Sequence, residues 1–262
     1  MITLIGHGYI GTHIAKKLRN FEWISHNESP SKTTRFIINA TGYIGTPNVD
    51  ACEINKDLCM QANVLFPLEL ERKSSVPILH ITSGCVYDGY PTDGWKETDA
   101  PNLTFDNGSF YSGCKGLLQT LLESRLKERS YLFRIRMPFC DTINMRNLLY
   151  KYERYATLVD TQNSMTCIED LLNCIDLFQK ELPEPGIYNI VNKMSATTNS
   201  ITDMMGITQD KTWIELHEFN STVKAKRSNC SLNTDKISAL YDMPDVYTAL
   251  DKTIHEYRKN TR

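Results

Sequence analysis

The sequence predicts an α/β fold, a doubly wound parallel sheet covered by helices on both faces, with a smaller C-terminal domain. Three observations carry this. Short β-branched runs alternate with stretches of helical periodicity through the first half, the pattern of βαβ units. A glycine-rich loop follows the first of those runs. Beyond Cys140 the pattern changes to short helices, isolated strands and scattered aromatic residues.

Residues 1–5 (MITLI) read as a strand, and Ile10, His13, Ile14, Ala15 and Leu18 then fall on one helical face. Residues 22–25 form the next strand. Only about ten residues separate it from residues 36–39, near the minimum for a parallel crossover, so the helix usual there is shortened or lost. Ile54, Leu58, Ala62, Leu65 and Leu68 recur every three or four residues, as in a helix packed on a sheet. Residues 78–83 are a strand. A helix carrying Cys114, Leu117, Leu118, Leu121 and Leu122 leads to another at 131–137 (YLFRIRM). Further on, residues 167–182 form a helix ending before Pro183, GIYNIVN a strand, and Val246, Leu250, Ile254 and Tyr257 the face of a last helix. The expected division is a dinucleotide-binding domain over 1–140 and a mostly substrate-binding domain over 141–262, which returns strands and a helix to the sheet.

Composition excludes several classes. Among 262 residues, 29 Lys and Arg stand against 31 Asp and Glu, a net charge of −2, which gives no footprint for nucleic acid. No apolar run approaches the roughly eighteen residues of a membrane span, so no membrane partner is expected. The N-terminus lacks a basic region and turns glycine-rich at once, unlike a signal peptide. The eight cysteines are scattered without a C-x-x-C pair, which points to a reducing, cytoplasmic compartment and to no metal site.

Gly6-His7-Gly8-Tyr9-Ile10-Gly11 fits G-x-G-x-x-G between a strand and a helix. The first glycine permits a tight turn, the second lets the backbone approach a pyrophosphate, and the third lets helix and strand pack closely. The helix N-terminus offers unpaired N–H groups to the phosphates. Gly6, Gly8, Tyr9, Ile10 and Gly11 are therefore candidate cofactor contacts, joined by Asn39, Ala40, Thr41 and Gly42 after the 36–39 strand. Ser25-His26-Asn27 follows the second strand where an NAD enzyme usually has an acid for the ribose 2′-hydroxyl. This points to NADP, with NADPH preferred over NADH.

Ser83 ends a strand at the carboxyl edge of the sheet, where doubly wound folds place ligands. Tyr111 and Lys115 lie four apart, on one helical face. Reduction of a ketone needs a proton donor at the oxygen, and a phenol beside an ammonium can serve. Tyr111 and Lys115 count as cofactor contacts as well as catalytic candidates.

With the glycine loop and Asn39-Ala40-Thr41-Gly42, this set resembles the extended short-chain dehydrogenase/reductase family, a Rossmann-type group whose serine or threonine, tyrosine and lysine match Ser83, Tyr111 and Lys115. Longer strings, NATGYIGTPNVDACE, ITSGCVYDG, GWKETDAPN, GSFYSGCKG, RIRMP, NSMT and KRSN, narrow it. They resemble the bifunctional nucleotide-4-keto-6-deoxyglucose 3,5-epimerase/4-reductases forming the C-terminal part of plant rhamnose synthases and, more distantly, dTDP-4-dehydrorhamnose reductases. The resemblance implies epimerisation of UDP-4-keto-6-deoxy-glucose at C3 and C5, then reduction at C4 by NADPH to UDP-L-rhamnose. It assigns epimerisation to Cys85 and Lys151, and places Val49, Cys85 and Asn163 in the substrate pocket. Arg227 is the candidate for the substrate pyrophosphate, because guanidinium matches phosphate oxygens in a bidentate way. The sequence departs from that family in its glycine-loop spacing, in Ser83 for threonine and in Thr46 for arginine. A nucleotide-sugar substrate, UDP- or dTDP-linked, and a homodimer are the expected partners. A reductase acting after a separate epimerase and a non-catalytic NADP sensor are the competing readings.

Overall fold

A computed structural model of the chain describes residues 1–260. Six parallel strands form the central sheet: β1 (Ile2–Ile5), β2 (Phe21–Ile24), β3 (Phe36–Asn39), β4 (Ile78–Ser83), β5 (Tyr131–Ile135) and β8 (Gly186–Asn189). Their spatial order is β2-β1-β3-β4-β5-β8. The order reverses at β1, and the crevice at such a switch point is where open α/β sheets bind ligands.

Alternation along each strand assigns the two faces. Leu4, Phe36, Ile38, Leu79 and Phe133 pack in one cluster with Ile14 of α1 (Tyr9–Lys17) and with Leu171, Ile175 and Phe178 of α8 (Ile168–Glu181). Ile5, Ile37 and Ile78 pack in a second with Leu70 of α4 (Phe66–Lys73). Leu132 belongs to a third with Leu118 of α5 (Phe110–Leu121) and Leu126 of α6 (Glu123–Glu128).

The short crossover is as expected: residues 25–35 form turns and contain no helix. Glu22 pins it. Its Oε1 accepts bonds from the Ser31 N–H at 2.8 Å, the Thr34 hydroxyl at 3.1 Å and the buried Thr3 hydroxyl. Burial would raise the Glu22 carboxyl, but these donors hold it below its ordinary value.

The helical segment at 50–73 differs from the sequence pattern. It is broken into α2 (Asp50–Ile54), α3 (Lys56–Met60), a π-helical turn (Gln61–Leu65) and α4. The break and the wide turn change the phase, so Ile54, Leu58 and Leu65 are 65%, 57% and 48% exposed, while Cys59, Asn63 and Val64 face inward. The strict 3.6-residue repeat therefore misplaced Ile54, Leu58 and Leu65, whereas Leu68 does pack on the core and Ala62 is half-buried.

The strand expected at 131–137 ends at Ile135; Met137 already has a positive φ of 39°. Past Cys140, β8 joins the sheet and α8 packs against it. The rest gathers around a separate cluster formed by α7 (Leu148–Arg154), α9 (Thr198–Met204) and α12 (Val246–Asn260), with the small pairs β6 (Thr157–Leu158) with β10 (Thr212–Trp213) and β7 (Gln162–Asn163) with β9 (Ala196–Thr197). Two short helices, α10 (Leu216–Thr222) and α11 (Asp235–Ser238), complete the fold. Bridges from Gly89 to Cys230 and from Trp95 to Leu232 stitch the loop after β4 to the 230–232 segment.

Candidate active site

The glycine loop has the shape its mechanism needs. Gly6 has a φ of +110°, and a Cβ there would stand 2.9 Å from the backbone of Ala40 and Thr41. A Cβ on Gly11 would collide with the Gly6 carbonyl, whereas one on Gly8 would meet open space. The first and third glycines thus close the turn, and the second leaves its backbone accessible. Tyr9 and Ile10 follow at the start of α1; the Tyr9 hydroxyl lies 3.0 Å from the Cys140 sulfur, and Ile10 packs on the core.

Asn39 governs the neighbouring loop. Its Oδ1 accepts from the Thr41 N–H at 3.1 Å and from the Thr41 hydroxyl at 2.6 Å, while its Nδ2 donates to His80 Nδ1 at 3.0 Å. That leaves His80 Nε2 to donate to Glu71 Oε1, also at 3.0 Å. Glu71 is bonded in turn to Ser130 and Arg129. A chain of polar groups on α4, β4 and the turn before β5 therefore holds Asn39, Ala40, Thr41 and Gly42 in place.

Ser109 caps α5, its Oγ accepting the Ser112 N–H at 3.1 Å, and Glu53 accepts the Phe110 N–H at 2.7 Å. These bonds fix the first turn, which carries Tyr111. Tyr111 and Ser83 are each 8% exposed, and the Ser83 hydroxyl is near enough to act on the phenol. Burial pushes the phenol well above its ordinary value and the nearby Cys85 adds to this, against the lowering influence of the Ser83 hydroxyl. Tyr111 thus stays protonated as a donor. Lys115 Nζ lies 5.5 Å from the Tyr111 ring centre, and a Cβ on Gly42 would stand 3.8 Å from it. Burial lowers the Lys115 ammonium to about 8. Phenol, serine hydroxyl, ammonium and the loop after β3 thus meet at one end of the sheet.

No family model matches the chain. A bifunctional dTDP-4-dehydrorhamnose 3,5-epimerase/dTDP-4-dehydrorhamnose reductase of Arabidopsis thaliana is 34% identical over 241 residues, covering 86% of this chain and 78% of that protein. The chain belongs to the family of dTDP-4-dehydrorhamnose reductases and UDP-rhamnose synthases. It is also 33% identical to a trifunctional UDP-glucose 4,6-dehydratase/UDP-4-keto-6-deoxy-D-glucose 3,5-epimerase/UDP-4-keto-L-rhamnose-reductase of the same plant, matching 35% of its length. In fold, it is similar to the L780 UDP-rhamnose synthase from Acanthamoeba polyphaga mimivirus, with a TM-score of 0.86 at 23% identity over 98% of this chain and 99% of that one. A dTDP-4-dehydrorhamnose reductase from Clostridium acetobutylicum gives a TM-score of 0.77 at 20% identity over 98% and 99%.

The other candidates named for this family's chemistry divide into two groups. Cys85 joins the centre: its N–H donates to Ser83 Oγ at 3.1 Å, and its sulfur lies 3.3 Å from Arg136 Nη1. Val49, which precedes α2, and Cys85 pack on the apolar cluster that contains Tyr111. Asn163 is fully buried and accepts from Arg136 Nε at 3.0 Å and from the Cys230 N–H at 3.1 Å. Lys151, on α7, is lowered by burial and by Arg146, and among the described residues no hydrogen bond or ion pair joins it to Ser83, Cys85 or Tyr111. Arg227 is taken up by an ion pair with Asp50 at 2.8 Å and a bond to the Ala225 carbonyl at 2.8 Å. It couples α2 to the C-terminal part of the chain, with its charge already matched.

The sequence reading passed over Asn63, His80, Glu71 and Arg136. Asn63 sits on the π-helical turn and bonds the Tyr43 backbone at both N–H and carbonyl. A lone polar residue within an apolar helical face was its only signal. At the end of β2, Ser25-His26-Asn27 itself carries no acid, and the nearby Glu28 carboxylate turns back to accept the Ser25 N–H at 2.8 Å.

Among the described residues no group of His, Cys, Asp and Glu is arranged to hold a metal, and no helix is long and apolar enough to cross a membrane.

Proposed function

We propose that the chain converts UDP-4-keto-6-deoxy-glucose to UDP-L-rhamnose, by epimerisation at C3 and C5 and reduction at C4 with NADPH. The observation that carries this reading is the meeting of Ser83, Cys85 and Tyr111 at one strand end, in a chain of this family. NADP fits the residues present: Gly8 leaves open space beside its backbone, and Lys115 stands next to Gly42. Gly6, Gly8, Gly11, the Asn39–Gly42 loop, Tyr111 and Lys115 would hold it, and bound NADPH would supply the hydride for C4.

The chain's own groups account for the rest. Protons at C3 and C5 lie α to the C4 ketone, so removing either places negative charge on the C4 oxygen. Ser83 and Tyr111 donate to that oxygen and stabilise the enolate; in reduction the same two donors meet the developing alkoxide, and Tyr111 gives up its proton. Cys85 takes the sugar proton on one face. Lys151 returns one on the other, after α7 or the sugar brings them within reach. A homodimer is supported by the exposed apolar side chains of Ile54, Leu58 and Leu65 in the 50–73 segment, and light scattering of the pure protein tests it.

The test separates this reading from the reductase acting alone. In deuterated water with NADP⁺ and either UDP- or dTDP-4-keto-6-deoxy-glucose, the protein is expected to wash deuterium into C3 and C5, and Cys85→Ala to suppress this at least tenfold. A protein that reduces the pre-epimerised 4-keto-rhamnose nucleotide yet exchanges neither proton is a reductase alone. One that binds NADPH but fails to oxidise it with any keto sugar is a sensor.

A further inference from the structure

Arg136 follows the end of β5, is 3% exposed, and has no carboxylate within ion-pairing distance among the described residues. A guanidinium has five N–H donors, and here each has a partner. Nε and Nη2 share Asn163 Oδ1; Nη2 also reaches the Ser228 carbonyl at 2.5 Å; Nη1 reaches Ser228 Oγ at 2.9 Å and the Cys85 sulfur at 3.3 Å. No donor is left for a substrate phosphate. A buried cation ringed by neutral oxygens lacks a counterion, and burial without one is strongly unfavourable. The one partner able to become an anion at ordinary pH is the thiol.

We propose that Arg136 is a positioning residue for epimerisation, its buried guanidinium taking the Cys85 thiolate as its counterion, with Asn163 and Ser228 fixing its orientation. This rests on the epimerase reading and adds to it the means by which a thiol becomes a base. The step moves one proton: the sugar C–H bond breaks, an S–H bond forms on Cys85, and the electron pair passes to the C4 oxygen. Arg136 remains cationic throughout.

Two neighbouring thiols illustrate the effect of contact. Burial raises Cys230 to about 11 although Arg136 works against it; its sulfur is bonded to the Gly84 carbonyl at 3.6 Å and not to the guanidinium. Burial would raise Cys85 too, but Arg136 and the bonds from Ser83 and Ser228 hold it below the ordinary thiol value. The titratable and charged groups facing Cys85 are Arg136 beyond β5, Tyr111 and Lys115 on α5, and Cys230. Lys115 works in the same direction, and the others are neutral in this range.

The experiment is alkylation of the intact protein by iodoacetamide across pH, followed by mass spectrometry of the peptide holding Cys85. The other seven cysteines are buried, so the peptide reports one thiol. Wild-type Cys85 is expected to reach half-maximal alkylation rate at least one pH unit below an ordinary thiol, about 8.5. Arg136→Gln is expected to move the midpoint up by a unit or more, a tenfold loss of thiolate at neutral pH, and Arg136→Lys to restore part of it. Deuterium exchange at C3 and C5 should follow the same pH profiles. A wild-type midpoint at or above the ordinary value overturns the proposal without any variant, and so does an unmoved midpoint in a folded Arg136→Gln protein. A midpoint that shifts as expected in a protein that exchanges no sugar protons retains the ion pair and rejects the epimerase reading.

Discussion

At the β4 end of the ligand crevice Ser83 and Tyr111 are each 8% exposed and Lys115 4%, and bonds from α2, α5 and the loop after β3 fix the surrounding backbone. At the β2 end the chain crosses over in turns, Trp23 is 38% exposed, and the acid nearest the strand end, Glu28, is exposed and tethered through one loop. Under the proposed function the difference follows from what each end would do. Proton transfer to a substrate oxygen requires donors held to a fraction of an ångström, which needs buried, fully bonded side chains. Holding an adenosine would require only sufficient contact, which a solvent-facing loop can supply.

The largest effect is expected from Tyr111→Phe, which removes a single hydroxyl from the rigid end. Turnover of the keto sugar should fall on the order of a hundredfold or more, with NADPH affinity nearly unchanged by fluorescence titration. A variant that reduces at close to the wild-type rate would make Tyr111 a packing residue and would erase the contrast between the ends.

An intermediate effect should appear in the pH profile. Lys115 has been lowered from its ordinary value to about 8 by burial, so it is charged below that pH and loses its proton above it. Reduction that depends on the ammonium should decline as pH rises through about 8, and Lys115→Met should lose that limb. A rate that stays flat to pH 9.5 shows that the charge is not needed.

The smallest effect is expected at the exposed end. Glu28→Gln removes a carboxylate from the strand end without changing its shape, and should tighten NADPH by about threefold with little change for NADH, the scale of an exposed charge contact. The gain should fade at high salt. A change beyond thirtyfold would mean that the β2 end is as rigidly built as the β4 end.

Much of this protein was legible from local sequence. Strands at 2–5, 36–39 and 78–83, the lost crossover helix, the glycine loop and the Tyr111-to-Lys115 spacing depend on neighbours within a few residues, and periodicity encodes such relations directly. The phase of the 50–73 segment was not legible, because a π-helical turn adds a residue that a fixed period cannot anticipate. Glu28 stands close to the strand end in the sequence, but its bond to Ser25 depends on a loop without periodicity.

The sequence by itself determined the fold class, the position of the glycine loop and the trio Ser83, Tyr111 and Lys115, since each is a pattern of short range. Only the tertiary structure decided which charges are free and which are spent. Arg227, a candidate for phosphate, is matched by Asp50 from 177 positions away; Arg136, one arginine of the RIRMP string, draws its partners from 27, 51 and 92 positions away. A side chain's charge is written in the sequence, but its counterion, and hence what that charge can do, is set by burial and by residues that folding alone brings together.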